Sequence, residues 1–137
     1  MKAVVGIGAD LIEVVRVARA HERFGERFLE RLYTPGEREY CMARADFVIA
    51  LAGRFAAKEA VVKALSPAAP TGLAYRDVAV RSDGNRPTVE LAGAAAALAA
   101  EKGVTDVMVT ISHERGYALA FAVALSFVSL SDIMLGK

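Results

Sequence analysis

The stretch "GRFAAKEAVVKAL", residues 53–65, sets Arg54, Lys58, Glu59 and Lys63 among small and apolar neighbours. A carboxylate can accept a proton or hold a cation, and lysine and arginine hold anions, so these four are the first candidates for chemistry. At about 100° per residue on a helix, Arg54 and Lys58 share one strip, while Glu59 and Lys63 share a second strip roughly 140° around. Phe55 and Val62 project between the strips. Ala56, Ala57, Ala60 and Ala64 take the remaining arc, where a helix can approach a sheet or another helix closely. Helix chemistry by itself explains the second strip as an i,i+4 ion pair on a solvated face, stabilising by a few tenths of a kcal/mol.

Other candidates lie far away in the chain. Asp10 follows "GIG" where a first strand is expected to end, as a cleft-facing carboxylate or as the N-cap of the next helix. "GIGAD" lacks the third glycine of a dinucleotide fingerprint, which removes that reading. His113, in "TISHERG", is expected at a strand end before a tight turn, where its ring reaches solvent or ligand or serves as a hydrogen-bonded structural group. His21 reads as solvated. Arg16, Arg19, Arg23, Arg27 and Arg31 form a basic stripe opposed by Glu22, Glu26 and Glu30, which is a solvated face or a docking surface for an acidic partner.

The elements that must position these residues follow from pattern. "KAVVGIG" reads as a strand closed by glycine and "DLIEVVRVARAHERF" as a helix. "TPGE" at 34–37 supplies an N-cap, a proline at the first helical position and a capping-box glutamate. A long alanine-rich helix runs from Asp46 until "SPAAPTG" ends it. Then come the strands "RDVAVRSD" and "TVEL", a turn between them at "DGNRP", the helix "GAAAALAAEKG", the strand "DVMVTISH" and a long strand from Tyr117. The order β-α-α-α-β-β-α-β-β implies an α+β fold, a mostly antiparallel sheet packed against helices on one side.

The chain has 137 residues, 55% of them apolar and 24% charged. One domain spanning 1–137 is expected from that size and balance, with 126–137 as a C-terminal extension. Seventeen basic and sixteen acidic residues give +1. Bulk charge therefore supports neither nucleic acid nor an anionic membrane as partner. Cys41 stands alone, which excludes an internal disulfide and a thiolate metal cluster. The N-terminus lacks a signal-peptide pattern, and a cytoplasmic location is expected. The apolar run "YALAFAVALSFVSL" is shorter than a membrane span and reads as a strand buried on both faces.

Three segments in order, "GIGADLIEVVR", "GRFAAKEAVVKAL" and "VTISHERGYALAFAVAL", resemble the small single-domain 4'-phosphopantetheinyl transferases, the holo-acyl-carrier-protein synthases, from Ala3 to Leu125. The resemblance implies that family's fold, a homotrimer, and active sites between subunits. It implies transfer of the 4'-phosphopantetheine arm of coenzyme A to a serine of apo acyl carrier protein, releasing adenosine 3',5'-bisphosphate. By position, Asp10 and Glu59 match magnesium-binding carboxylates, Lys63 the lysine beside the reacting phosphate, and Arg54, Lys58 and His113 groups around the coenzyme A phosphates. Gly72 is the matching part of a loop that otherwise departs from the family pattern, and Arg16 and Arg23 match carrier-docking positions.

Magnesium takes oxygen ligands, commonly one or two carboxylates completed by phosphate and water, so the pair is sufficient. Asp10, Glu59 and Lys63 are then the catalytic set, with Glu59, directly or through water on the ion, accepting the serine proton; Lys63 as base requires a lowered pKa. Two other readings stand beside this one. The first is a metal-dependent phosphohydrolase using Asp10, Glu59 and His113, and the second is a non-catalytic module holding an acidic protein.

Overall fold

β-branched and small residues recur through Lys2–Glu13, and all twelve residues form the first strand, β1. The strand therefore does not close at Gly8. Gly6 and Gly8 serve a different purpose: a Cβ on Gly6 would lie 2.0 Å from the carbonyl oxygen of Ala64, and one on Gly8 would lie 1.9 Å from that of Ala60. Their missing side chains let a helix backbone rest directly on the strand. That helix is α4, Phe47–Leu65, apolar on nearly every side and buried over most of its length.

The computed structural model describes residues 2–65, 73–84 and 86–136. Between β1 and α4 lie α1 (Val14–Phe24), α2 (Glu26–Leu32) and α3 (Pro35–Met42). The first helix begins at Val14, four residues later than the pattern suggested, because β1 pairs with a partner strand through Glu13. It ends at Gly25, whose φ of 55° is readily accessible to glycine. A further helix, α2, follows that the sequence pattern did not announce. The expected capping box is present at α3: Glu37 N donates to Thr34 Oγ1 at 3.2 Å and Thr34 N to Glu37 Oε1 at 2.8 Å. Two otherwise orphaned N–H groups are satisfied at once.

After α4 come a single 3-10 turn at Tyr75–Asp77, then β2 (Val78–Asp83), β3 (Arg86–Leu91), α5 (Gly93–Glu101), β4 (Asp106–Glu114), β5 (Tyr117–Phe127) and α6 (Leu130–Met134). β1, β5 and β4 form one antiparallel sheet in the order β1-β5-β4, and β2 and β3 form a separate hairpin. This is the expected α+β architecture, with α4 laid across one face of the larger sheet. Ala118, Ala120, Ala122 and Ala124 of β5 are buried against it, small enough to admit the helix as the two glycines do.

The other face of β5 departs from expectation. Phe121 is 53% exposed, and Ile7, Leu11 and Met108, on flanking strands, are 71%, 62% and 52% exposed. No described element of this chain covers them, so β5 is buried on one face within the chain, not two. The extension after Phe127 forms the short helix α6, closed by a capping box in which Asp132 N donates to Ser129 Oγ at 3.1 Å.

Candidate active site

Asp10 lies within β1, three residues before its end, opposite Ala120 and on the face turned toward α4. It is neither at a strand end nor an N-cap, because the helix starts four residues later and Glu13 is its cap residue. Glu59 comes from α4, and the two carboxylates line one cleft of about 360 Å³ together with Arg16, Phe28 and Phe55. Lys63, one turn beyond Glu59, donates from Nζ to Asp10 Oδ1 at 3.2 Å and to the Ala9 carbonyl at 3.0 Å. Segments more than fifty residues apart are thereby joined at one charged point.

The hydroxyl of Tyr75 donates to Glu59 Oε1 at 2.8 Å. Burial, reinforced by that hydrogen bond and the carboxylate charge, pushes the Tyr75 phenol up to about 12. It therefore remains a donor at neutral pH. Glu59 Oε2 has no hydrogen-bond partner among the described residues. Those residues contain no group of three or more His, Cys, Asp or Glu able to hold a metal alone. Two hard oxygen ligands beside an open cleft fit magnesium, which accepts a partial protein shell and draws its other oxygens from phosphate and water.

The other charged strip of α4 faces inward, whereas the resemblance placed Arg54 and Lys58 around the coenzyme A phosphates. Lys58 is fully buried, and its Nζ donates to Glu37 Oε1 at 2.7 Å, to the Val78 carbonyl at 2.6 Å and to the Tyr75 carbonyl at 3.0 Å. An ammonium group has three N–H donors, so none is left for a coenzyme A phosphate. Burial pushes the Lys58 ammonium down, and the Glu37 charge opposes that shift. Arg54 is 7% exposed, lies 4.2 Å over the Tyr40 ring and donates to Ser82 Oγ. Its Nε is buried without a partner among the described residues, and Tyr40 and Ser82 line a second cleft, of about 540 Å³, separate from the Asp10–Glu59 cleft.

His113 sits near the end of β4, as the sequence suggested, but not beside Asp10 and Glu59 within the chain. It lines a hollow with Ser112, Glu114, Arg115, Tyr117, Leu119 and Leu11, and Leu11 also borders the carboxylate cleft. A hydrolase grouping of Asp10, Glu59 and His113 inside one chain is thus not formed. Arg16 and Arg23 are exposed on α1, and Arg27 and Arg31 continue the stripe on α2. Gly72 and the rest of the 66–72 loop lie outside the described residues.

Sequence reasoning missed Tyr75 and the second role of Glu37. The capping box made Glu37 look fully explained, while its buried bond to Lys58 and the bond its Oε2 accepts from Val80 N are tertiary. Nothing in the spacing of Tyr75 pointed to Glu59.

A family model described as the 4'-phosphopantetheinyl transferase superfamily matches residues 6–122, the span that carries Asp10, Glu59, Lys63 and His113. The chain is 46% identical over 123 residues to a holo-[acyl-carrier-protein] synthase of Desulforudis audaxviator, covering 89% of this chain and 93% of the relative. The crystal structure of holo-[acyl-carrier-protein] synthase from Neisseria meningitidis is similar at a TM-score of 0.81 and 32% identity, over 89% of this chain and 98% of that one. The Helicobacter pylori holo-[acyl-carrier-protein] synthase, solved in complex with coenzyme A, matches at a TM-score of 0.75 and 30% identity, over 86% of this chain and 98% of that one.

Proposed function

This chain belongs to the 4'-phosphopantetheinyl transferase superfamily, and from that premise we propose that it transfers the 4'-phosphopantetheine arm of coenzyme A to a serine of apo acyl carrier protein, releasing adenosine 3',5'-bisphosphate. The observation that carries the reading is the joining of Asp10, Glu59 and Lys63 at one cleft, from two separate segments that the family model spans. Holo-acyl-carrier-protein synthase relatives, one of them solved with coenzyme A, support the same substrates.

Asp10 and Glu59 would hold magnesium, which when bound supplies neutralising charge to the phosphate under attack. Lys63 adds a fixed positive charge beside Asp10. Its Nζ donates to two oxygens, and an ammonium engaged in this way is a charge stabiliser rather than a base. Glu59 is the better acceptor for the serine proton. Arg16 borders the cleft and Arg23 lies further along α1. An acidic carrier docked on that helix would bring its serine to the carboxylates.

His113, on the far side of Leu11, would serve a site completed by a neighbouring copy. The exposed apolar face around Phe121 supports association of copies, and a homotrimer is the proposed assembly. A cytoplasmic setting is consistent with a single buried thiol at Cys41, and among the described residues no helix is long and apolar enough to cross a membrane.

Incubation with coenzyme A, magnesium and an apo carrier protein should raise the carrier mass by about 340 Da, the arm delivered to its serine. Glu59→Gln should lower the magnesium-dependent rate at least about a hundredfold, with an unchanged circular dichroism spectrum. Absence of any mass shift across several acidic carriers would reject the transferase reading.

A further inference from the structure

Lys58 and Glu59 are consecutive on α4 and so point about 100° apart, one into the interior and the other into the cleft. One residue meets both. The carbonyl of Tyr75 accepts from Lys58 Nζ at 3.0 Å, and the hydroxyl of the same Tyr75 donates to Glu59 Oε1 at 2.8 Å. The Tyr75 ring lies against Phe55, one helical turn before Glu59, at 5.6 Å between centroids. Backbone, ring and hydroxyl are thus each fixed by α4.

The anchor behind this arrangement is rigid. Lys58 and Glu37 are buried as an ion pair, Lys58 also grips Val78, and Glu37 Oε2 accepts from Val80 N at 3.0 Å. Asp77 Oδ2 accepts from Ala74 N at 3.3 Å and closes the turn that presents Tyr75. A buried pair whose donors are all used holds one geometry, because any displacement strands a charge in a low-dielectric interior.

We propose that Tyr75 is a positioning residue for Glu59: its hydroxyl fixes the carboxylate at the cleft, and the Lys58–Glu37 pair fixes Tyr75. The inference rests on the reading of Glu59 as a magnesium ligand. A hydrogen bond to one carboxylate oxygen restricts the rotation of the group and would leave the other oxygen for the ion. It also removes the entropy cost of ordering Glu59 when the ion arrives.

The test is Tyr75→Phe in the full chain, which keeps the ring against Phe55 and deletes only the hydroxyl. Titration with Mg2+, and with Mn2+ followed by electron paramagnetic resonance, should show affinity weakened about tenfold or more, as for loss of other carboxylate-orienting partners. Coenzyme A affinity measured in chelator should stay within about twofold, and turnover should recover substantially at saturating Mg2+. On a Glu59→Gln background, Tyr75→Phe should weaken residual Mn2+ binding no further, since the two residues act as one unit. Wild-type metal affinity in Tyr75→Phe would overturn the proposal while leaving the transferase reading intact. So would an equal loss of coenzyme A affinity in chelator, which would mean that Tyr75 touches the coenzyme. A wild-type chain that binds neither Mg2+ nor Mn2+ would instead remove the ligand reading of Glu59, and the proposal with it.

Discussion

Every N–H of the Lys58 ammonium is spent inside the protein, on a carboxylate and two carbonyls. That determines how its loss will read. Lys58→Met leaves a chain of similar length but strands Glu37, whose Oε1 then keeps only the Thr34 N–H. Removing one member of a buried pair costs about 3–5 kcal/mol, since the remaining charge is desolvated without compensation. Denaturant unfolding of Lys58→Met should therefore show a loss of that size. Coenzyme A affinity of the folded protein, measured without metal, should change by no more than about threefold, on the order of 0.6 kcal/mol. A variant that unfolds like wild type and loses coenzyme A binding would return Lys58 to the phosphates. The sequence could not separate these cases, because Lys58 and Glu59 look equally polar on a helical wheel. Burial of one depends on Glu37, twenty-one residues away, and on the carbonyls of Tyr75 and Val78.

The site is built by how closely two elements approach. Asp10 reaches Lys63 only because β1 lies against α4 with no side chain between them at Gly8. A methyl group there would meet the Ala60 carbonyl oxygen at 1.9 Å and the Ala64 nitrogen at 2.8 Å, and helix backbone cannot yield as a side chain tip does. Gly8→Ala should destabilise by about 3 kcal/mol or more by thermal unfolding, at or above the upper end of the usual cost of overpacking. It should also weaken magnesium binding, because Asp10 moves with the strand. Gly36→Ala is the control, since its Cβ would meet nothing within 4 Å. Its stability should stay within about 0.5 kcal/mol of wild type, the usual range for a surface substitution. The same close approach explains what the sequence disclosed and what it hid. The antiparallel α+β arrangement, the capping box at Thr34 and the meeting of Asp10 and Glu59 at one cleft were legible from period, spacing and resemblance. The extent of β1 was not, since glycines that accommodate a helix look like glycines that end a strand.

At the scale of the molecule, the larger sheet has one face closed by α4 and another that the described residues leave open. Phe121 sits near the centre of the open face, opposite Ala9 of β1 and Thr110 of β4, with Ile7 and Met108 nearby and largely exposed. Apolar strand faces of this kind are usually covered by a partner, and here the partner proposed is another copy. The carboxylate cleft and the His113 hollow meet at Leu11 on the margin of that face, so assembly and catalysis are coupled in the proposed site. Phe121→Glu separates the two levels. A carboxylate costs little on a solvated face but is expensive inside an apolar contact, so the folded chain should survive while association fails. Sedimentation should give wild type as a particle three times the chain mass of 14.5 kDa and the variant as single chains at micromolar concentration. Turnover per chain in the variant should fall at least about tenfold and rise with protein concentration, as mass action restores shared sites. Full activity in a demonstrably monomeric Phe121→Glu would mean that one chain holds the whole site, with His113 outside it.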